Sequence, residues 1–87
     1  GYTLGMTTFS KIKQTKGSSH QSIEVSRNGV PFGILWTWKN TKTDQSPWQA
    51  KTLKCEHVVA FWGLNNDKKL ALKDAKNWIS TVDYMSI

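Results

Sequence analysis

The sequence predicts an α+β domain: a three- to four-stranded antiparallel meander sheet with one C-terminal helix packed on one face. Three observations predict it. Asn28-Gly29 sits between two β-prone runs, SIEVSR and VPFGILWTWK, and both of its residues tolerate the positive φ of a type I′ hairpin turn. Two further short β-prone runs, WQAKTL and HVVAFW, follow at close intervals. From Lys68 onward Ala71, Leu72, Ala75, Trp78, Ile79 and Val82 recur with the 3.6-residue period of a helix. Short connections make neighbouring strands antiparallel, and a helix with one apolar face must bury it against the sheet.

In order, Gly1–Gly5 are expected to be foreign residues ahead of a native start at Met6, and residues up to 20 a flexible basic arm with Lys11, Lys13 and Lys16. Phe9 and Ile12 are its only large apolar side chains, and a spacing of three does not suit a strand. The arm reads either as a frayed terminus or as a segment lying along a phosphate backbone. Residues 21–87 form the single ββββα domain. In its hairpin, closure by Arg27 and Val30 places Val25 opposite Phe32 and Ile23 opposite Ile34. Val30, Phe32, Ile34, Trp36 and Trp38 then form one apolar face, against which the helix is expected to pack. Leu35, Gly33 and Thr37 point the other way. Gly33 marks a bulge or a close backbone approach.

Residues 39–47 are a polar loop. Trp48–Leu53 is a short strand, Lys54-Cys55-Glu56 a turn and His57–Trp62 a strand apolar on both sides, expected to be central or covered on both faces. Asn66 or Asp67 caps a helix running from Lys68 to Ser80 or Thr81.

Composition narrows the function classes. No apolar run approaches the roughly 18 residues of a membrane span. The single cysteine, Cys55, excludes an intramolecular disulfide and fits a cytoplasmic protein. Cys55, His20 and His57 lack the paired spacing of a zinc site, so neither metal nor cofactor is expected. Cys55 and His57, two apart, are the one pair that could make a nucleophile, with no third orienting group. The six acidic residues are dispersed. A non-catalytic protein is therefore expected.

The net charge of +6 favours an acidic partner, nucleic acid above all, or serves solubility alone. On the sheet face away from the helix, Glu24, Ser26, Leu35, Thr37 and Lys39 are expected, with Lys51. Lys39, Lys42 and Lys54 would hold phosphates, and Trp48 would stack on a base or pack in the core. Segment 48–79 resembles the second half of the AP2/integrase-type DNA-binding domains. Those pair a W-x-A-x-[IL] strand with an aromatic strand ending in Gly, then a helix with Ala four apart. Trp48 and Ala50, Phe61-Trp62-Gly63, and Ala71 and Ala75 match. The resemblance implies a sheet docked in the major groove of double-stranded DNA through Trp48, Lys51 and Lys54. The family's Arg-rich first strand is replaced by GILWTWK. Lys68-Lys69-Leu70-Ala71 also resembles the basic helix start of double-stranded-RNA-binding domains.

The expected function is thus binding of nucleic acid, double-stranded DNA first, mainly through phosphates. The candidate residues are Arg27, Lys39, Lys42, Trp48, Lys51 and Lys54, in a monomer or homodimer. Size and compactness fit a small accessory protein of a mobile element. The alternative is a small protein-interaction module or inhibitor docking through a Trp-rich, basic surface, since five Trp exceed what one small core needs.

Overall fold

The computed structural model describes residues 6–14, 16–17, 19–38 and 46–82. Among these residues there are six strands: β1 (Thr7–Phe9), β2 (Lys13–Gln14), β3 (His20–Arg27), β4 (Val30–Trp38), β5 (Trp48–Thr52) and β6 (Val59–Phe61). A 3-10 turn, Leu64–Asn66, leads into α1 (Lys68–Thr81). Strand order is β1-β3-β4-β5-β6, with β2 on the same edge of β3 as β1, and every pairing is antiparallel. The α+β fold with a single C-terminal helix is as expected.

The hairpin turn is where the sequence puts it. Asn28 and Gly29 have φ of 55° and 79°, and Arg27 pairs with Val30. Beyond the turn the expected register does not hold. Ser26 pairs with Pro31, but Val25 pairs with Gly33, Glu24 with Ile34 and Ile23 with Leu35. Phe32 is the extra residue of a β-bulge, which two-against-one pairing produces. Pro31, with no N–H to donate, stands beside it.

The bulge shifts β4 by one residue and exchanges its faces. Phe32, Leu35 and Thr37 are buried on the helix side, whereas Ile34 and Trp36 are half-buried and Trp38 is exposed on the other. The helix therefore packs on the Leu35 and Thr37 side, opposite to expectation. Thr37 is accommodated because its hydroxyl donates to the Pro47 carbonyl at 2.8 Å.

The core consists of Ile23, Val25, Phe32, Leu35, Trp48 and Ala50 from the sheet and Ala71, Ala75, Ile79 and Val82 from the helical end. The helix lies across β4, β5 and β6. Small Ala71 and Ala75 let it approach closely. At Gly33 there is no room for a side chain: a Cβ there would lie 2.6 Å from Ile79 Cδ1 of the helix and 2.6 Å from the Lys51 carbonyl oxygen of β5. Gly33 is thus both next to a bulge and under the helix.

Asp67 is the N-cap, its carboxylate accepting from the Lys69 and Leu70 N–H groups at 2.9 and 3.4 Å. The other end is closed by Arg27, whose Nη2 donates to the carbonyls of Ile79 and Val82 at 3.0 Å and of Ser80 at 3.4 Å. A cation here suits the negative end of the helix dipole.

The segment read as a flexible arm differs from expectation between residues 6 and 14. β1 and β2 extend β3 on its outer edge, and Ser10 carries the pairing across the interruption. Its N–H donates to the Glu24 carbonyl at 3.0 Å and its hydroxyl accepts from the Glu24 N–H at 2.9 Å. The interruption at Ser10–Ile12 breaks the alternation between the two strands and leaves Ile12 exposed. β6 also departs from expectation. It is a three-residue edge strand, and Val58 and Trp62 beside it are exposed.

Candidate nucleic-acid interface

One face of the sheet carries the helix. Among the described residues no element packs on the other. Alternation places Ser22 and Glu24 of β3, Ile34, Trp36 and Trp38 of β4, and Gln49 and Lys51 of β5 on this open face. Ala60 of β6 lies there too. The burial pattern agrees: on β5 every residue facing the helix is buried and every residue facing away is half-exposed. Trp36 stands between Ser22 and Gln49, and Gln49 in turn faces Ala60.

Two tryptophans offer open rings. Trp38 is 45% exposed and Trp62 50%. The imidazole of His20, directly across from Trp38, lies against its indole with ring centroids 3.7 Å apart and planes tilted by 38°. Trp62 follows Phe61, which turns inward onto Trp78 at 5.9 Å, so alternation sends Trp62 to the open side. Trp36 and Trp38, two residues apart on one strand, are separated by about 7 Å.

The positive charge around this face comes from several elements. Lys51 lies on it opposite Ile34, and exposed Lys54 occupies the turn after β5. Lys13 pairs with Glu24 at 3.2 Å, an exposed contact that offsets the one described acid on the face. Lys68 reaches the rim, its Nζ donating to the Trp38 carbonyl at 2.8 Å.

The candidate residues divide accordingly. Lys51 and Lys54 lie on and beside the open face. Lys39 and Lys42 lie outside the described residues. Arg27 is committed elsewhere: besides capping the helix, its guanidinium sits 3.8 Å over the Phe32 ring. Trp48, at 4% exposure, is a core residue on the helix side, so the stacking role expected of it has no access to a base. Leu35 and Thr37, also expected on the open face, are buried under the helix.

Trp36 and Trp38 face away from the helix, opposite to expectation, because the expected hairpin register lacks the bulge. The signal that could have found them is Pro31-Phe32-Gly33, which interrupts a strand with two residues that favour irregular pairing. The possible nucleophile, Cys55 with His57, shows a backbone N–H of His57 donating to Cys55 Sγ at 3.4 Å. Among the described residues no three of His, Cys, Asp or Glu gather as a metal site, and no helix is long and apolar enough to cross a membrane.

An antiparallel sheet backed by one helix, with the opposite face open and aromatic, defines the class of domain. Compared with family models, curated proteins and solved structures, the chain gives no significant match.

Proposed function

We propose that this protein binds nucleic acid without catalysis, using the open face of its sheet. The observation that carries this reading is the exposed aromatic side chains of Trp38 and Trp62 on a face bordered by Lys51 and Lys54, in a chain of net charge +6. Lysines supply the non-specific attraction to phosphates and release counterions on binding. Indole rings supply flat apolar surface for bases or sugars. The only arginine is engaged at the end of the helix, so the bidentate guanine contact that arginine usually makes is not supplied. That favours contacts to the backbone over sequence readout. Of the three contact residues that the resemblance of residues 48–79 to AP2/integrase-type domains implies, Lys51 and Lys54 lie on or beside this face and Trp48 does not.

The test is fluorescence anisotropy with double-stranded DNA, single-stranded DNA and RNA at several salt concentrations. Log affinity should fall linearly with log salt, with a slope of a few phosphates. Lys51→Glu combined with Lys54→Glu should reduce affinity for whichever ligand binds by roughly tenfold or more and lower the slope by about two. Unchanged affinity in the folded double variant would remove this face from the interface.

A protein-interaction module is the second reading. It is favoured by one observation, the exposed apolar side chains Val58, Trp62 and Leu64 clustered in sequence around edge strand β6. A partner adding a strand there would use the backbone groups of the edge. Its signature is a protein complex that DNA does not displace and that Trp62→Ala weakens.

A further inference from the structure

The structure points beyond a general affinity for nucleic acid to one ligand class. We infer that the open face takes single-stranded DNA, with unpaired bases stacked on Trp38 and Trp62. This rests on the nucleic-acid reading above and narrows it, in place of the double-stranded DNA that the sequence led us to expect.

The argument begins with what each ligand offers. In a duplex the flat faces of the bases are covered by their neighbours, and a protein meets only groove edges and phosphates. Groove edges are read by side chains with paired donors and acceptors. The open face has few: Gln49 and Lys51 at its centre, with Ser22 and Glu24 at one side. It has instead two indoles at 45% and 50% exposure, each a ring with a single donor and no acceptor. Such rings suit the flat face of an unpaired base, which every base has whatever the sequence.

The placement of the rings agrees. Trp38 already carries His20 against it at 3.7 Å, and a base on the exposed part of the indole would add a third ring to this tilted aromatic contact. Trp62 lies beside β6, two strand spacings from β4, or about 10 Å across the sheet. Between β4 and β6 lies Gln49, flanked by Trp36 and by Ala60. The short Ala60 side chain leaves Gln49 open to the edge of a base, to which its amide can both donate and accept. Lys51, one step along the same strand face, stands within reach of a phosphate of such a strand.

The sugar preference follows from the rest of the face. Ile34 and Ala60 carry no hydrogen-bonding side-chain group, and a ribose 2′-hydroxyl lying against them would lose its water without gaining a partner. Deoxyribose carries no such group. The positive charge of the chain complements the strand.

The test uses the whole chain and oligomers of about 12 nucleotides: oligothymidylate, oligouridylate and a duplex of equal length, at low salt. Binding is followed by anisotropy and by intrinsic tryptophan emission. Oligothymidylate should bind more tightly than either of the others and quench the emission. Trp38→Ala and Trp62→Ala should each weaken it by roughly 5- to 150-fold, while Trp38→Phe and Trp62→Phe recover most of the loss. Circular dichroism identifies any variant that fails to fold, and the phenylalanine variants then carry the comparison. Equal binding of duplex with unchanged emission and no effect of the alanine variants would overturn the inference and leave the phosphate reading standing. Tighter binding of oligouridylate would overturn the choice of DNA. Failure of all three to bind would overturn both readings.

Discussion

Replacing Arg27 by alanine separates a structural role from a binding one. The side chain reaches from the end of β3 to the last turn of the helix and puts one nitrogen within 3.0 Å of two carbonyls and 3.4 Å of a third. That nitrogen has two hydrogens, so two full bonds are the most it makes. Hydrogen bonds from a charged donor contribute about 1.5–3 kcal/mol each. The helix-dipole effect is part of the same interaction and is not added to it. Against this stand the lost rotamer freedom of a long side chain, about 2 kcal/mol, and the buried Nε, which has no partner among the described residues. Stacking on Phe32 returns about 0.5–2 kcal/mol. The net loss expected for Arg27→Ala is about 2–3 kcal/mol. On a total stability on the order of 5–10 kcal/mol that is a large fraction, and it corresponds to a fall in Tm of roughly 10–20 °C. Urea unfolding followed by tryptophan emission measures it. Arg27→Lys should recover part, because an ammonium keeps the charge but not the planar fork. Below its melting point the alanine variant should bind DNA within about threefold of the parent, as a remote charge affects affinity only weakly across a Debye length. A urea midpoint matching the parent's would refute the capping role. A tenfold loss of DNA affinity in the folded variant would return Arg27 to the interface.

The other predictions concern how the helix is seated. Gly33→Ala should destabilise the fold by about 2–3 kcal/mol, because the Ile79 side chain can turn aside but the Lys51 carbonyl belongs to β5 and cannot; a stability equal to the parent's in urea would mean that β5 stands farther from Gly33. Asp67→Ala should cost about 1 kcal/mol through loss of the N-cap, while Asp67→Asn stays close to the parent. Comparable thermal melts for these two Asp67 variants would argue against capping by this side chain.

Much of the fold was legible because local signals and tertiary packing agree. Asn28-Gly29 dictates a turn wherever it lies between two β-prone runs, and the helix from Lys68 shows its period in six apolar residues. Two features were hidden for a shared reason. Strand patterns are read by alternation, and an irregular residue shifts everything after it. Phe32 does this in β4, where one extra residue sent Leu35 inward and Trp36 and Trp38 outward. Ser10–Ile12 does it between β1 and β2, so that two paired segments read as a polar arm. The candidate site suffered most, since which face is open depends wholly on register. Lys51 kept its place because β5 is regular. Trp48 changed from interface to core because its strand faces the helix through Trp48, Ala50 and Thr52. Arg27 could not have been assigned from sequence, as its partners lie more than fifty residues away.

The lengths of the strands bear on how copies of this chain meet one another. The two long strands, of eight and nine residues, are both interior, and the margins of the sheet are formed by segments of two and three residues. A margin that short presents few unpaired backbone groups, so runaway strand-to-strand growth has little to start from. Much of this protection on the β3 side hangs on Asn28. Its side-chain oxygen accepts from the Met6 N–H at 3.0 Å and its own N–H donates to the Met6 carbonyl at 3.0 Å. The residue that turns the hairpin also pins the start of β1. Were that strip to peel away, an eight-residue template carrying Ile23 and Val25 on one face would lie open along its whole edge, and the first consequence would be aggregation rather than unfolding.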